Sequence, residues 1–236
     1  MVVDGIKSKP AHVQSGVPQG TVLGPALFIV YMNNVTEFIK SSIIKLFADD
    51  SKLIASIKDE SDREKLLDDL NALIKWTDMN SMRFNEDKFQ LLQIGPHNEL
   101  KQPYSSNNIQ IEKSSHVKDL GIYLSEDMSC KYHISQMTES ASNFASWLLR
   151  TFITREKEVM LLLLKTYLVP RLEYCSPVWS PTKISEIEQV ESVQRSFTRN
   201  IENLEGLNYH DRLKHLKLFS LQRRRERATL LPVIAY

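Results

Sequence analysis

The chain has little cysteine: its 236 residues include only Cys130 and Cys175, which lie far apart and have no CxxC partner. This scarcity argues against a zinc site and against a disulfide scaffold, and it fits a reducing compartment. The apolar context of Cys175 predicts a buried thiol rather than a nucleophile. No metal site is predicted at four of the histidines, because they do not stand at ligand spacing from a cysteine or an acid: His116, His133, His210 and His215.

Long apolar runs are also lacking. The N-terminal residues do not show the charged-then-apolar pattern of a signal peptide, and the longest apolar stretches, Leu23–Met32 and Val159–Leu164, are too short to span a bilayer. We therefore expect a soluble protein without membrane contact that works inside the cell, in the cytoplasm, the nucleus or both.

A strong overall charge is absent too. Net charge is +1, so any binding of nucleic acid must use local patches. One patch is present, because the stretch from Gly206 onward carries seven Arg or Lys residues against two acids. A predicted C-terminal helix, Leu221–Ala235, concentrates four of them, and their functional interpretation is contact with RNA or DNA phosphates. These residues are Arg223, Arg224, Arg225 and Arg227. The simpler interpretation is a solvated helix face, and only a subset of the four can face one partner.

Hydrophobic periodicity divides the chain into a mixed first half and a helical second half, with a boundary near Asp127. In the first half it predicts a hairpin around Asp4-Gly5, a helix over Ala26–Phe38, paired strands at Ser42–Ala48 and Ser51–Ile57, an amphipathic helix over Glu60–Met79, and strands at Lys88–Ile94, Ile109–Ile111 and His116–Leu124. The second half predicts helices over Tyr132–Thr151, Arg155–Leu168, Ile184–Asn200, Tyr209–Leu216 and Leu221–Ala235. Three tryptophans beside apolar residues, Trp76, Trp147 and Trp179, are expected in the core rather than as base-stacking platforms.

The feature with the most chemistry is Asp49-Asp50, predicted as the turn between the two strands of a hairpin. Adjacent carboxylates repel each other, and a shared cation is one way to stabilise them. Mg²⁺ prefers such hard oxygen ligands, and two ions of this kind can assist phosphoryl transfer. The alternative is structural, since aspartate is common in hairpin turns because it tolerates their dihedral angles.

Two segments around this pair resemble a known family. SGVPQGTVLGPALFIVYMNNV (15–35) is similar to motif B of non-LTR retrotransposon reverse transcriptases, and LFADDSKLIAS (46–56) is similar to their metal-binding motif C. FNEDK (84–88) resembles motif D, VKDLGI (117–122) resembles the primer-grip hairpin, and VPRLEYC (169–175) with WSP (179–181) resembles a helical region of jockey-like elements. Asn33-Asn34 departs from the Asn-Asp that related sequences often have.

The resemblance implies an α+β fold: a truncated polymerase palm over residues 1–127, from motif B to the primer-grip region, followed by a helical thumb and C-terminal extension over 128–236. It implies that Asp49 and Asp50 are catalytic ligands of Mg²⁺, with Mn²⁺ as a possible substitute. The implied partners are an RNA template, a DNA primer and a deoxynucleoside triphosphate.

The other roles that the resemblance implies are these. Pro18 shapes the loop before the helix, and Gln19 and Gly20 lie against the template–nucleotide pair. Lys88 lies near the triphosphate, although a solvated lysine at a strand start is an equal alternative. Gly121 belongs to the primer-grip region, where core packing is the expected role of the apolar neighbours.

The family's third carboxylate lies on motif A, upstream of motif B, and the sole acid before Gly16 is Asp4, which a hairpin turn explains better. A metal site that lacks one ligand binds weakly and positions its ion badly. We therefore expect a reverse transcriptase fragment that is inactive alone. Three hypotheses follow: residual polymerase activity, with the missing front supplied by another chain; a catalytically dead nucleic-acid-binding module; and an inert transposon remnant. A truncated palm also predicts exposed apolar surface and poor solubility.

Overall fold

The computed structural model describes residues 2–7, 9, 16, 20–82, 84–85, 88–95, 104–106 and 109–234. Its contacts divide the chain into two compact units, the first formed by Met1–Phe89 and Glu99–Glu112 and the second by Gln90–Asn98 and Lys113–Tyr236. Helices together with small antiparallel hairpins make the fold α+β, as predicted.

Among its described residues, the first unit contains three hairpins and two α-helices. Its strands are β1 (Val2–Val3), β2 (Ile6–Lys7), β3 (Ile43–Phe47), β4 (Asp50–Ile54), β5 (Tyr104–Ser106) and β6 (Ile109–Ile111), paired in that order as antiparallel hairpins. Its helices are α1 (Leu23–Met32), which continues as a 3₁₀ helix over Asn33–Phe38, and α2 (Glu60–Met79). The predicted Asp-Gly turn is confirmed: Asp4 and Gly5 both have positive φ, the signature of a type I′ turn.

Helix α2 organises the core of this unit. Asp59 caps its first turn by accepting a hydrogen bond from the Asp62 amide, and Leu73 and Trp76 lie on its buried face three residues apart. They pack with Met32 and Val35 and with apolar side chains of the β3–β4 hairpin. The core therefore fixes β3–β4 against α2.

The second unit contains the remaining elements. They are the hairpin β7 (His116–Asp119) and β8 (Ile122–Ser125) and the helices α3 (Lys131–Thr151), α4 (Lys157–Leu163), α5 (Val169–Glu173), α6 (Ser176–Trp179), α7 (Ile184–Thr198), α8 (Tyr209–Leu216) and α9 (Leu221–Ile234). A π-helical turn, Leu164–Leu168, joins α4 to α5. One large core runs through this unit and includes Ile122 of β8 together with Ile134, Leu172, Trp179 and Phe197.

Several predicted elements differ from the structure. The Lys88–Ile94 strand was wrong: apart from one bridge between Leu91 and Lys113, this segment is irregular. His116–Leu124 is not one strand, because the Leu120-Gly121 turn folds it into β7 and β8. That hairpin contacts α3 and falls in the helical unit, whereas the domain boundary near Asp127 remains a prediction. Strand β5 formed where a loop was expected.

Candidate active site and nucleic-acid surface

The two adjacent carboxylates lie at the tip of the β3–β4 hairpin. Phe47 pairs with Asp50, so Ala48 and Asp49 are the turn residues and Asp50 is the first residue of β4. The prediction that both aspartates form the turn was therefore one residue out of register. Both side chains are exposed. The hairpin presents two carboxylates to solvent.

The turn itself carries strain. Ala48 has a φ of 51°, in the left-handed region that favours glycine. A non-glycine residue in this region costs roughly 1–3 kcal/mol, and such strain persists only where the surrounding structure imposes it. Here the two strands on either side of the turn impose it, with five paired positions from Ile43–Ile54 to Phe47–Asp50.

The base of the hairpin is held by Asp69 of α2. Its carboxylate accepts hydrogen bonds from the backbone amides of Lys40 (2.9 Å), Ser41 (2.9 Å) and Ser42 (2.6 Å), immediately before β3. Burial alone would raise the pKa of the Asp69 carboxyl, but these amide donors hold the pKa below its ordinary value. Sequence reasoning missed this anchor, because an aspartate next to Asp68 on an amphipathic helix looks like a solvated residue.

A second anchor joins the 3₁₀ helix to α2. The indole nitrogen of Trp76 donates to Asn34 Oδ1 at 3.0 Å, and Trp76 is fully buried. The core prediction for Trp76 is confirmed. The Asn34 that departs from the related sequences thus has a structural partner in this chain.

The donor set of the carboxylate hairpin suits a hard cation only in part. Asp49 and Asp50 supply the carboxylate oxygens that Mg²⁺ prefers. Within the part of the chain that the structure describes, no group of three or more His, Cys, Asp or Glu side chains comes together as a metal site. Asp4, the acid before Gly16, lies exposed in its own hairpin turn.

The remaining predicted residues of the first unit are placed as follows. Pro18 and Gln19 lie outside the described residues. Gly20 is exposed with a φ of 81°, a conformation in which glycine is favoured over L side chains. Lys88 is exposed in a single helical turn, where its amide donates to the Asn85 carbonyl at 3.0 Å. It therefore begins no strand.

Helix α1 leaves much apolar surface uncovered. Val22 and Leu23 at its start and Leu27, Ile29 and Val30 along it are each more than half exposed. The expectation of exposed apolar surface in this unit is confirmed.

In the second unit, Gly121 occupies the β7–β8 turn with Leu120, and both have positive φ (88° and 46°). A Cβ on Gly121 would lie 3.2 Å from the Tyr174 ring, whose hydroxyl donates to the Leu120 carbonyl at 3.1 Å. Glycine is required here both by the turn and by this close ring. Ile122 is buried, which confirms a packing role, whereas Leu120 is largely exposed.

The four arginines of α9 do not act as one patch. Arg224 makes a bidentate ion pair with Glu173, at 2.6 and 2.9 Å. Arg225 is buried beside the Trp179 ring, where burial lowers the pKa of its guanidinium. Arg223 and Arg227 instead flank the partly exposed Phe219, each 5.0 Å from the ring centroid. Of these four arginines, Arg223 and Arg227 place positive charge around an exposed aromatic ring.

A buried carboxylate that sequence reasoning missed organises this region. Glu191 of α7 is 5% exposed and accepts hydrogen bonds from the Leu221 amide at the start of α9 and from the Tyr209 hydroxyl. Burial and this carboxylate raise the pKa of Tyr209, so its phenol stays protonated as a donor. The sequence signal was weak, since α7 carries several other glutamates.

Two predictions about single side chains were wrong. Cys175 is exposed rather than buried, because its left-handed φ of 54° places it in the short link between α5 and α6. Trp147 is 48% exposed and contacts the ring of Phe144, whereas Trp179 is fully buried as predicted. Among the described helices, none combines the length and the apolar character needed to cross a bilayer.

Comparison with known proteins bears on both units. The family described as "Reverse transcriptase (RNA-dependent DNA polymerase)" matches residues 2–124. The "RNA-directed DNA polymerase from mobile element jockey" of Drosophila melanogaster is 26% identical over 210 residues, which cover 84% of this chain and 23% of that protein. The "Probable RNA-directed DNA polymerase from transposon X-element" of the same organism is 24% identical over 207 residues, which cover 82% of this chain and 22% of that protein. The chain thus spans less than a quarter of these relatives, and no solved structure matches it.

Proposed function

The chain belongs to the reverse transcriptase family and is jockey-like, as in non-LTR retrotransposons, and on this premise we propose that it is the palm-to-thumb part of an RNA-directed DNA polymerase. In this proposal residues 1–127 form a partial palm, and residues 128–236 form a helical thumb with a C-terminal extension. The family match over 2–124 and the helical character of the second unit support it.

The observation that carries the proposal is the exposed carboxylate pair. Asp49 and Asp50 would hold Mg²⁺, or Mn²⁺ in its place, which when bound stabilises the charge that develops on a leaving pyrophosphate. The protein's own contribution is to orient the two carboxylates. The strand register places them at a strained tip, the apolar core fixes the strands, and Asp69 fixes the chain that leads into them.

The nucleic-acid partners would be an RNA template and a DNA primer, with a deoxynucleoside triphosphate as the second substrate. We assign Pro18, Gln19 and Gly20 to the template–nucleotide pair, Lys88 to the triphosphate and Gly121 to the primer end, as the resemblance implies. The exposure of Gly20 and Lys88 is compatible with these roles. A retroelement protein of this kind would meet RNA in the cytoplasm and DNA in the nucleus.

We further propose that these 236 residues do not extend a primer on their own. Two carboxylates without a third ligand should hold the metal loosely, and positioning is most of the catalysis of phosphoryl transfer. The support is that the resemblance matches two of the family's carboxylates, Asp49 and Asp50, to this sequence.

A nucleic-acid-binding module without catalysis is the second candidate, and the Arg223–Phe219–Arg227 arrangement favours it. Cationic side chains around an aromatic ring suit single strands, because phosphates contact the charges and bases stack on the ring. Of the four arginines predicted for this role, the proposal keeps Arg223 and Arg227, since Arg224 and Arg225 are engaged within the protein.

Primer extension on an RNA template with Mg²⁺ tests the proposal, with the wild-type chain compared with Asp49→Ala/Asp50→Ala. We expect no extension above background from either protein, whereas both bind the primer–template duplex with an affinity that falls as salt rises. Extension by the wild-type chain that disappears in the variant would contradict the proposed inactivity. Failure of the wild-type chain to bind the duplex at low salt would contradict the nucleic-acid role.

A further inference from the structure

A second concentration of arginines lies in a cleft beside helices α7 and α8. The cleft has a volume of about 360 Å³ and is lined by Arg195 and Arg199 of α7, the loop before α8, and Tyr209 and Arg212 of α8. Glu205 of the loop is the one carboxylate in its lining. Three arginines therefore line a space that could accept a ligand of a few heavy atoms.

Arg212 forms the floor of the cleft and is hydrogen-bonded to two backbone carbonyls. Arg212 is 4% exposed, and its guanidinium donates to the Leu207 carbonyl at 2.7 Å and to the Arg195 carbonyl at 3.2 Å. Its Nε is buried without a partner among the described residues. Burial and the positive charge of Arg199 lower the pKa of Arg212. An arginine stays protonated nonetheless, so this charge is held in place without full compensation.

The carboxylates around the cleft leave two of the three arginines uncompensated. Arg195 pairs with Glu188 at 2.5 Å, and Glu191 is occupied by the Leu221 amide and the Tyr209 hydroxyl. Asp211 contacts Asn208 and Lys214. Among the described residues, no carboxylate lies within 4.0 Å of the guanidinium of Arg199 or Arg212. An anion in the cleft would relieve this repulsion.

The cleft is linked to the Phe219 surface. Buried Gln194 donates from its one amide nitrogen to the Tyr209 hydroxyl (3.0 Å) and to the Phe219 carbonyl (3.1 Å). The guanidinium carbons of Arg195 and Arg212 lie 5.1 Å and 5.7 Å from the centroid of the Tyr209 ring. Arg223 and Arg227 lie beside the Phe219 ring in the same way. The Tyr209 side chain and the Phe219 backbone are thus joined through the same amide, and each of these residues has two arginines beside its ring. Repeated phosphates suit this arrangement better than a single small anion.

We propose that the α7–α8 cleft binds a backbone phosphate of a single-stranded nucleic acid whose neighbouring nucleotides lie along the Phe219 surface. Arg199 contacts the phosphate oxygens, because arginine donors match phosphate geometry, and the buried Arg212 adds positive charge at the floor of the cleft. Glu205 opposes this binding and limits its strength. The inference rests on the proposed function only for the statement that the ligand is a nucleic acid strand.

The test measures the affinity of the full chain for a labelled single-stranded RNA oligonucleotide over a series of salt concentrations. Arg199→Gln is the first variant, because Arg199 is exposed and its replacement should not disturb the core. We expect the affinity to fall about 3- to 10-fold and the slope of log K against log salt to fall by about 0.7, the change for one lost phosphate contact on a single strand. Glu205→Gln should have the opposite effect and tighten binding.

Lys214→Gln is the matched control, since it removes the same charge from α8 at a position outside the cleft. It should leave the affinity within about 2-fold of the wild-type value. Equal losses in Arg199→Gln and Lys214→Gln, or an unchanged affinity in Arg199→Gln, would overturn the cleft assignment. The assignment would also be overturned if inorganic phosphate bound at the cleft while the wild-type chain and Arg199→Gln bound RNA with equal affinity.

The outcomes separate this inference from the function on which it rests. RNA binding that is lost in Arg223→Gln/Arg227→Gln but kept in Arg199→Gln would remove the cleft and leave the nucleic-acid role. A wild-type chain that binds no RNA even at low salt would remove both.

Discussion

Glu191→Ala should lower the free energy of unfolding of the second unit by about 3–5 kcal/mol, because it removes a charged acceptor from two donors and each such hydrogen bond contributes roughly 1.5–3 kcal/mol. Glu191 is the carboxylate that most favours the charge of buried Arg225, and it also receives the Leu221 amide and the Tyr209 hydroxyl. Its removal therefore leaves the Tyr209 hydroxyl and the Leu221 amide without this acceptor, and it takes away a negative charge that favours the buried guanidinium of Arg225. Denaturant unfolding measured by hydrogen exchange in α7 and α9 peptides reports this unit specifically.

Glu188→Ala provides the control for Glu191. It lies on the same helix, but its carboxylate is largely exposed and pairs only with Arg195 at the surface. We expect a change of less than about 1 kcal/mol, since exposed ion pairs contribute little. Similar stabilities for the Glu191 and Glu188 variants would show that Glu191 does not organise the α7–α9 contact.

Asp69→Ala should destabilise the first unit by about 3 kcal/mol, because it removes a charged acceptor from three backbone amides at once. The amides of Lys40, Ser41 and Ser42 are the direct readout: they should lose their protection from hydrogen exchange in the variant. Asp68→Ala is the matched control, since Asp68 is the exposed neighbour on the same helix, and its removal should leave these amides protected. Unchanged protection in Asp69→Ala would contradict the anchor.

Asp69 should also make the stability of the first unit depend on pH in the acid range. Its pKa in the folded state lies below the unfolded value of about 3.9, so its stabilisation is complete above the unfolded pKa. The stabilisation is lost as the pH falls through the folded pKa. Asp69→Asn should therefore show a shallower decrease in stability on acidification than the wild-type chain, and an equally steep decrease would contradict this origin.

The elements that the sequence predicted well are those that periodicity and turn chemistry define locally. Helix α2 was predicted with the bounds it has, and the Asp4-Gly5 turn requires only the dihedral preferences of two residues. The β3–β4 pair was predicted as a hairpin, but its register was one residue out. The register depends on which strand residues reach the α2 core, and that is a tertiary property.

The wrong predictions depend on features of the folded chain that the local sequence does not show. The Lys88–Ile94 segment has the apolar content of a strand, yet apart from one bridge the described chain pairs nothing with it. Cys175 is exposed because the backbone turns between α5 and α6, which its apolar neighbours do not signal. Arg224 and Arg225 looked like part of a basic patch, but Glu173 and the Trp179 ring draw them into the protein.

The candidate site was found from sequence because its residues are adjacent in the chain, as Asp49 and Asp50 are. The α7–α8 cleft was not found, because Arg195, Arg199 and Arg212 come together only through the turn between two helices. The two aspartates were therefore recognisable from a motif, whereas the cleft could be recognised only from the three-dimensional structure.

The measurement that tests the metal-site assignment most directly is Mn²⁺ binding to the full chain by electron paramagnetic resonance. We expect weak binding in the wild-type chain and at least about 10-fold weaker binding in Asp49→Asn/Asp50→Asn, since loss of even an outer-shell partner costs a metal site that much. Glu64→Gln/Asp68→Asn removes the same charge from two exposed positions on α2 and should bind Mn²⁺ like the wild-type chain. Mn²⁺ binding that is the same in all three proteins would contradict the assignment of Asp49 and Asp50 as metal ligands.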